Sequence, residues 1–126
     1  MAMSPAVAER AHADAQQAQQ RAAGASPLER ALIDAIGARY ASPPPADRKE
    51  LDRAYANAMR KAYEDHGSQP DVAALFAESL MNLRPWDLWQ RDGSPQPETP
   101  EILAVLEKIL ATHPRHPQGN HLFIHC

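Results

Sequence analysis

Residues 58–79 read AMRKAYEDHGSQPDVAALFAES, and residues 105–126 read VLEKILATHPRHPQGNHLFIHC. Laid on one another without a gap, they match Lys61 to Lys108, His66 to His113, Pro70 to Pro117, Leu75 to Leu122 and Phe76 to Phe123. The step from His66 to His113 is 47 positions. Ala62 and Tyr63 fall on Ile109 and Leu110, so the apolar stripe repeats along with the punctuation. Each copy is a helix end, a short turn running from His to Pro, and the start of another helix. One helix pair cannot bury its apolar face alone and must stack on neighbours. The repeat therefore predicts an all-α fold of stacked antiparallel helix pairs.

The rest of the chain carries the same punctuation. Ser4-Pro5 opens a first helix and Gly24 closes it, with Pro suited to the first helical position and Gly to the residue past the end. Its stripe of Val7, Ala11, Ala15, Ala18 and Ala22 forms helix readily but builds little core, so this helix is expected to fray or to lean on something else. Ser26-Pro27-Leu28-Glu29 is a capping box. Leu28, Leu32, Ala35, Ile36 and Tyr40 follow at helical spacing until Pro43-Pro44-Pro45 stops the chain. Asp47 with Glu50 forms the next box, opening a long helix striped by Leu51, Tyr55, Ala58, Met59, Ala62 and Tyr63. Pro70 begins a helix with Val72, Leu75, Phe76, Ser79, Leu80 and Leu83 on one side. A Pro/Gly/Trp loop covers residues 84–98, and Thr99 caps a helix turned inward by Ile102, Leu103, Leu106, Ile109 and Leu110. A last helix begins at Pro117. No alternating strand pattern of useful length appears. Residues 1–25 form an Ala/Gln-rich N-terminal segment, and residues 26–126 form the repeat region.

Composition limits what this chain does. Apolar residues are 44% of the sequence but aromatics only 6%, so the core is thin and alanine-rich. Thirteen Lys and Arg against sixteen Asp and Glu give a net charge of −3, which supplies neither a field for nucleic acid nor a polybasic membrane patch. The basic residues from Arg48 to Lys61 alternate with acids and read as a solvated helix face. No apolar run approaches the roughly 20 residues that cross a bilayer, and the N-terminal segment is unlike a secretory signal, which together point to the cytoplasm. Cys126 is the single cysteine and forms no internal disulfide.

Residues 62–76 and 109–123 resemble the junctions between tetratricopeptide repeats, where a helix ends in a Pro-containing turn and the next begins with Leu-aromatic packing. From about residue 22 to residue 125 the chain is similar to long bacterial tetratricopeptide proteins of unassigned function. The likeness is carried by Ala25 to Ala31, Ala46 to Ala56, Leu80-Met81-Asn82-Leu83-Arg84-Pro85-Trp86-Asp87 and Asn120 to His125. The usual repeat is about 34 residues, and the longer period here is taken up by the 84–98 loop. The resemblance implies an α-α superhelix, a protein or peptide ligand on its concave face, and no catalysis. That face is expected on the helices beginning at Leu28, Val72 and Leu122. Because chains of this kind continue past both ends seen here, it also implies a fragment whose uncapped repeats self-associate.

Candidate sites are few. Trp86 and Trp89 in the long loop either fold back to seal the helix pair, the reading we favour from their bulk, or anchor a partner. With Arg84 beside them and Phe76 of the repeated Leu-aromatic pair, they are the candidate partner-contacting residues. His121 and His125 stand four apart and share one helix face, a spacing that can hold a metal ion. Leu122 occupies the place where zinc hydrolases carry Glu, which excludes that chemistry. His113, His116 or Cys126 would supply a third ligand. The plainer reading has these histidines line a helix packing face, with His66 and His113 favoured at helix C-termini by the dipole. No cofactor motif is present. Gly24, Gly37, Gly67, Gly93 and Gly119 are too scattered for a phosphate loop, Asp47 and Glu50 are explained by capping, and Cys126 is a poor nucleophile.

Overall fold

The computed structural model describes residues 3–126. It is all-helical: α1 Pro5–Gln20, a 3₁₀ turn Ala22–Gly24, α2 Pro27–Ala38, α3 Lys49–His66, α4 Pro70–Met81, α5 Thr99–Thr112 and α6 Pro117–Ile124. The chain divides into two compact units, residues 1–62 and 63–126, with the division inside α3. No helix among the described residues is long and apolar enough to cross a membrane.

In the first unit, Ser4 caps α1, its Oγ accepting from the Val7 N–H at 3.4 Å with Pro5 at the first helical position. The helix ends at Gln20, four residues before Gly24, and α1 packs against α2. Its buried residues are Ala8 and Ala15, while Val7, counted in the expected stripe, stands 55% exposed. The apolar face is thus rotated by one residue at its start. The capping box of α2 is complete: the Ser26 N–H donates to Glu29 Oε2 at 2.7 Å and the Glu29 N–H to Ser26 Oγ at 3.3 Å. The bond from the Ser26 N–H first, and then the Ser26 hydroxyl, hold the Glu29 carboxyl below its ordinary value.

At the start of α3 only half of the expected box is made. Asp47 Oδ1 accepts from the Lys49 N–H at 3.0 Å, but Glu50 turns forward to pair with Arg53 at 2.9 Å. Arg48 departs from the solvated role expected of it. Its Nη2 donates to the carbonyl of Arg39, the C-cap of α2, at 3.0 Å, and its guanidinium lies 5.5 Å from the centre of the Tyr40 ring. Arg39 lies over the Tyr55 ring at 4.6 Å.

The second unit holds the end of α3 together with α4, α5 and α6, and the last three pack on one another. Its core is Val72, Phe76, Leu80, Ile102, Leu106, Ile109 and Leu122, with Leu88 of the long loop. Phe76 is fully buried and stacks on Tyr63 with centroids 4.9 Å apart. Gly67 is needed behind that stack, because a Cβ there would meet the Tyr63 ring carbons at 2.7 Å. The two buried hydroxyls are both satisfied. Ser79 Oγ donates to the Phe76 carbonyl at 2.6 Å, and Thr99 Oγ1 to the Leu88 carbonyl at 2.5 Å. Thr99 is therefore not the cap of α5: the helix begins at Thr99 itself, preceded by Glu98, and the hydroxyl tethers the loop instead.

The two repeat copies keep their punctuation. α3 ends at His66 and α4 starts with Pro70, while α5 is followed by His113 and α6 starts with Pro117. Their Leu-aromatic pairs face differently. In the first copy Phe76 is buried and Leu75 only partly so; in the second Leu122 is buried and Phe123 is 40% exposed. The backbone pattern repeats, and the buried face turns by one residue.

Candidate functional site

The long loop is suspended from the core at defined points. Arg84 Nε pairs with Glu98 Oε2 at 2.7 Å and draws the loop's ends together. Leu88 is buried, and its carbonyl also accepts from the Gln96 N–H at 2.9 Å. A single antiparallel bridge joins Trp89 to Pro95. The tip turns at Gly93, whose φ of 82° suits a residue without Cβ. Asp92 Oδ1 accepts there from both the Ser94 hydroxyl and the Ser94 N–H, and these bonds hold its carboxyl below the usual range.

At the near end, the Asp87 N–H donates to the Arg84 carbonyl at 3.1 Å and closes a four-residue turn. Pro85 takes the second place, where its fixed φ fits, and Trp86 takes the third with φ 62°. A tryptophan in left-handed backbone is an outlier, because its Cβ crowds the following carbonyl. The same indole is 88% exposed. The expectation that the tryptophans fold back to seal the helix pair fails for Trp86. Trp89 is 42% exposed and donates from Nε1 to the Cys126 carbonyl at 2.6 Å.

That bond brings the loop to the end of α6. Trp86 meets His125 edge to face, centroids 5.3 Å apart at 86°, and His125 meets His121 at 4.8 Å and 72°. Ile124, 81% exposed, and Phe123 belong to the same helix end. The tryptophan pair and the histidine pair, read separately in the sequence, form one aromatic and imidazole surface. The other two residues expected to contact a partner are not on it. Phe76 is buried under Tyr63, and the Arg84 guanidinium is occupied by Glu98.

The histidines divide into two kinds. His116 caps α6: its Nδ1 accepts from the Gly119 N–H at 2.9 Å, so the proton sits on Nε2, which faces Asp71 Oδ1 at 3.0 Å. Both ring nitrogens are spent. His113 Nδ1 bonds Thr112 Oγ1 at 2.9 Å. Among the described residues no three His, Cys, Asp or Glu side chains come together to hold a metal ion, so His121, His125, His113 and His116 do not form one site. Cys126 Sγ is turned to the Leu122 carbonyl at 3.4 Å, and burial pushes its thiol above the ordinary value, away from the reactive thiolate.

A concavity of about 240 Å³ opens between the first repeat turn and the end of α5, lined by Pro70, Ala73, Val105 and Ile109 with Lys108 and His113 at its rim. It is smaller than the roughly 300–1,000 Å³ usual for small-molecule sites. Comparison with protein-family models, curated proteins and solved structures gives no match to this chain.

Proposed function

We propose that this chain is a cytoplasmic helical binding module, without catalysis of its own, whose docking surface is the end of the second unit formed by Trp86, Trp89, Phe123 and Ile124. One observation carries the reading: Trp86 is 88% exposed on backbone with φ 62°. A type II turn asks for Gly or Asn at that place, and water disfavours an indole. Neither the local backbone nor the core is served by tryptophan there. An aromatic anchor for a second molecule is served by it, because Trp, with Tyr and Arg, is enriched among binding hot spots. Strained residues that persist in a fold cluster at functional sites. The helix-turn-helix punctuation at Pro70 and Pro117 supports a tetratricopeptide-like scaffold for a protein or peptide ligand, with fold analogy as its only warrant.

Selection of a displayed peptide library against the untagged chain tests this. Enriched peptides are expected to lose about 30-fold in affinity when Trp86→Ala is introduced, the loss of a hot spot worth about 2 kcal/mol. A failure to enrich any peptide, or binders indifferent to Trp86→Ala, Trp89→Ala and Ile124→Ser alike, overturns the reading. A concentration-dependent mass in sedimentation, abolished by Ile124→Ser, would assign the surface to a second copy of the chain instead.

A further inference from the structure

We propose that His121 and His125 form a two-imidazole chelate, open on its outer side, for a late first-row divalent cation such as Cu²⁺, Ni²⁺ or Zn²⁺. The pair stands one turn apart at the end of α6, on one face. Its ring centroids are 4.8 Å apart. Two imidazoles on one tetrahedral ion, with metal–nitrogen distances of about 2.0–2.1 Å, place their ring centres roughly 5 Å apart, so the separation suits a chelate, while the edge-to-face rings must turn for a nitrogen of each to reach one ion. A second observation is independent of the spacing. Among the described residues, His113 and His116 give ring nitrogens to hydrogen bonds, while His12, His66, His121 and His125 show none, and of these four His121 and His125 meet ring to ring. A third is the support for His125, whose ring is met by Trp86 at 5.3 Å and 86° and so is held on one side without its nitrogens being consumed.

The chemistry of the donors selects the ion. Neutral imidazole suits Cu, Ni and Zn, and for a given nitrogen site affinity rises along the series to Cu²⁺. A closed structural zinc site needs four protein ligands. No third His, Cys, Asp or Glu joins this pair among the described residues, and the Cys126 thiol is turned to the Leu122 carbonyl. The remaining coordination positions are therefore left to water or to a donor from another molecule. This inference stands without the docking reading, since it needs no partner and uses a different pair of side chains.

Titration of the untagged chain with CuCl₂ and ZnCl₂ by calorimetry, with electron paramagnetic resonance of the Cu²⁺ form, tests it. The expected result is one saturable ion per chain with two nitrogen couplings. His121→Gln and His125→Gln are each expected to weaken binding roughly tenfold or more, because the second imidazole binds intramolecularly. His113→Gln is expected to change nothing. Both tested positions are exposed, and circular dichroism confirms that the variants stay helical. A single nitrogen coupling, absence of saturable binding, or affinities within twofold of the parent in His121→Gln and His125→Gln would overturn the assignment. Loss of peptide binding with metal binding intact would sink only the docking reading, and the converse only this one.

Discussion

Replacing Trp86 by glycine separates the two roles open to an aromatic residue in a loop. The indole is 88% exposed, so its removal uncovers little core, whereas truncating a buried tryptophan costs about 3–5 kcal/mol. Three smaller effects remain. Left-handed backbone costs an L-residue about 1–2 kcal/mol, which glycine relieves. Glycine gives back about 0.5–1 kcal/mol through the greater freedom of the unfolded chain. The edge contact with His125, both residues being exposed, contributes about 0.5 kcal/mol. Trp86→Gly is thus expected to lie within about 1 kcal/mol of the parent. Trp86→Ala loses the same contact but keeps the strained Cβ, and is expected to be the less stable of the two by about 0.5–1 kcal/mol. Urea denaturation by circular dichroism, with amide exchange in α6 reporting on the second unit, measures both. A cost of about 3 kcal/mol in Trp86→Gly would mean that the indole covers core. An alanine variant more stable than the glycine variant would refute the argument that the turn resists this residue.

Further substitutions probe how the site is held. Phe76→Ala is expected to cost about 3–5 kcal/mol in the same denaturation experiment, since the ring is fully buried against Tyr63; a cost under about 1 kcal/mol would deny that it is core. Thr99→Val removes the hydroxyl bond to Leu88 and is expected to cost about 1 kcal/mol and to speed amide exchange in the loop, while Thr99→Ser retains most of the parent's protection. His116→Ala is expected to fray α6 at a cost of about 0.5–2 kcal/mol, seen as faster exchange of the Gly119 amide. Glu29 has a folded pKa below its ordinary 4.5, so its contribution is complete above that value and is lost as pH falls through the lower folded one. Protection of the Ser26 amide, its exchange measured against the intrinsic rate at each pH, is therefore expected to fall in acid, and Glu29→Gln to flatten that dependence.

The fold was legible because its boundaries are written in residues with one conformational habit. Pro5, Pro27, Pro70 and Pro117 each open a helix in the structure, and proline at that place needs nothing from the rest of the chain. The Ser26 box is equally local. Errors entered where a side chain had two physically sound uses and tertiary structure chose between them. Thr99 is a good cap by type but bonds the Leu88 carbonyl eleven residues back. Arg48 belongs to a charged helix face by pattern but reaches the end of α2. Glu50 has a backbone amide behind it and Arg53 ahead of it, and takes the arginine.

The site was legible in pieces only, although two signals for it lie in the sequence. Pro85 predicts a turn whose next residue sits at the apex, where Trp86 is carried away from the core. Leu122, Phe123 and Ile124 are three consecutive apolar residues on a helix, and at about 100° per residue they cannot share one buried face. Burying Leu122 must turn Ile124 outward and leave Phe123 at the edge, as their exposures show. The same rotation puts His121 and His125 on the outer side of α6. What local rules cannot supply is that loop and helix meet, because the bond from Trp89 to the Cys126 carbonyl spans 37 residues. The tryptophans and the histidines looked like separate candidates for that reason alone. Once Leu122 is pinned in the core and Arg84 is tied to Glu98, the turn apex and the outer face of α6 arrive together, and a single surface follows from two constraints that are each structural.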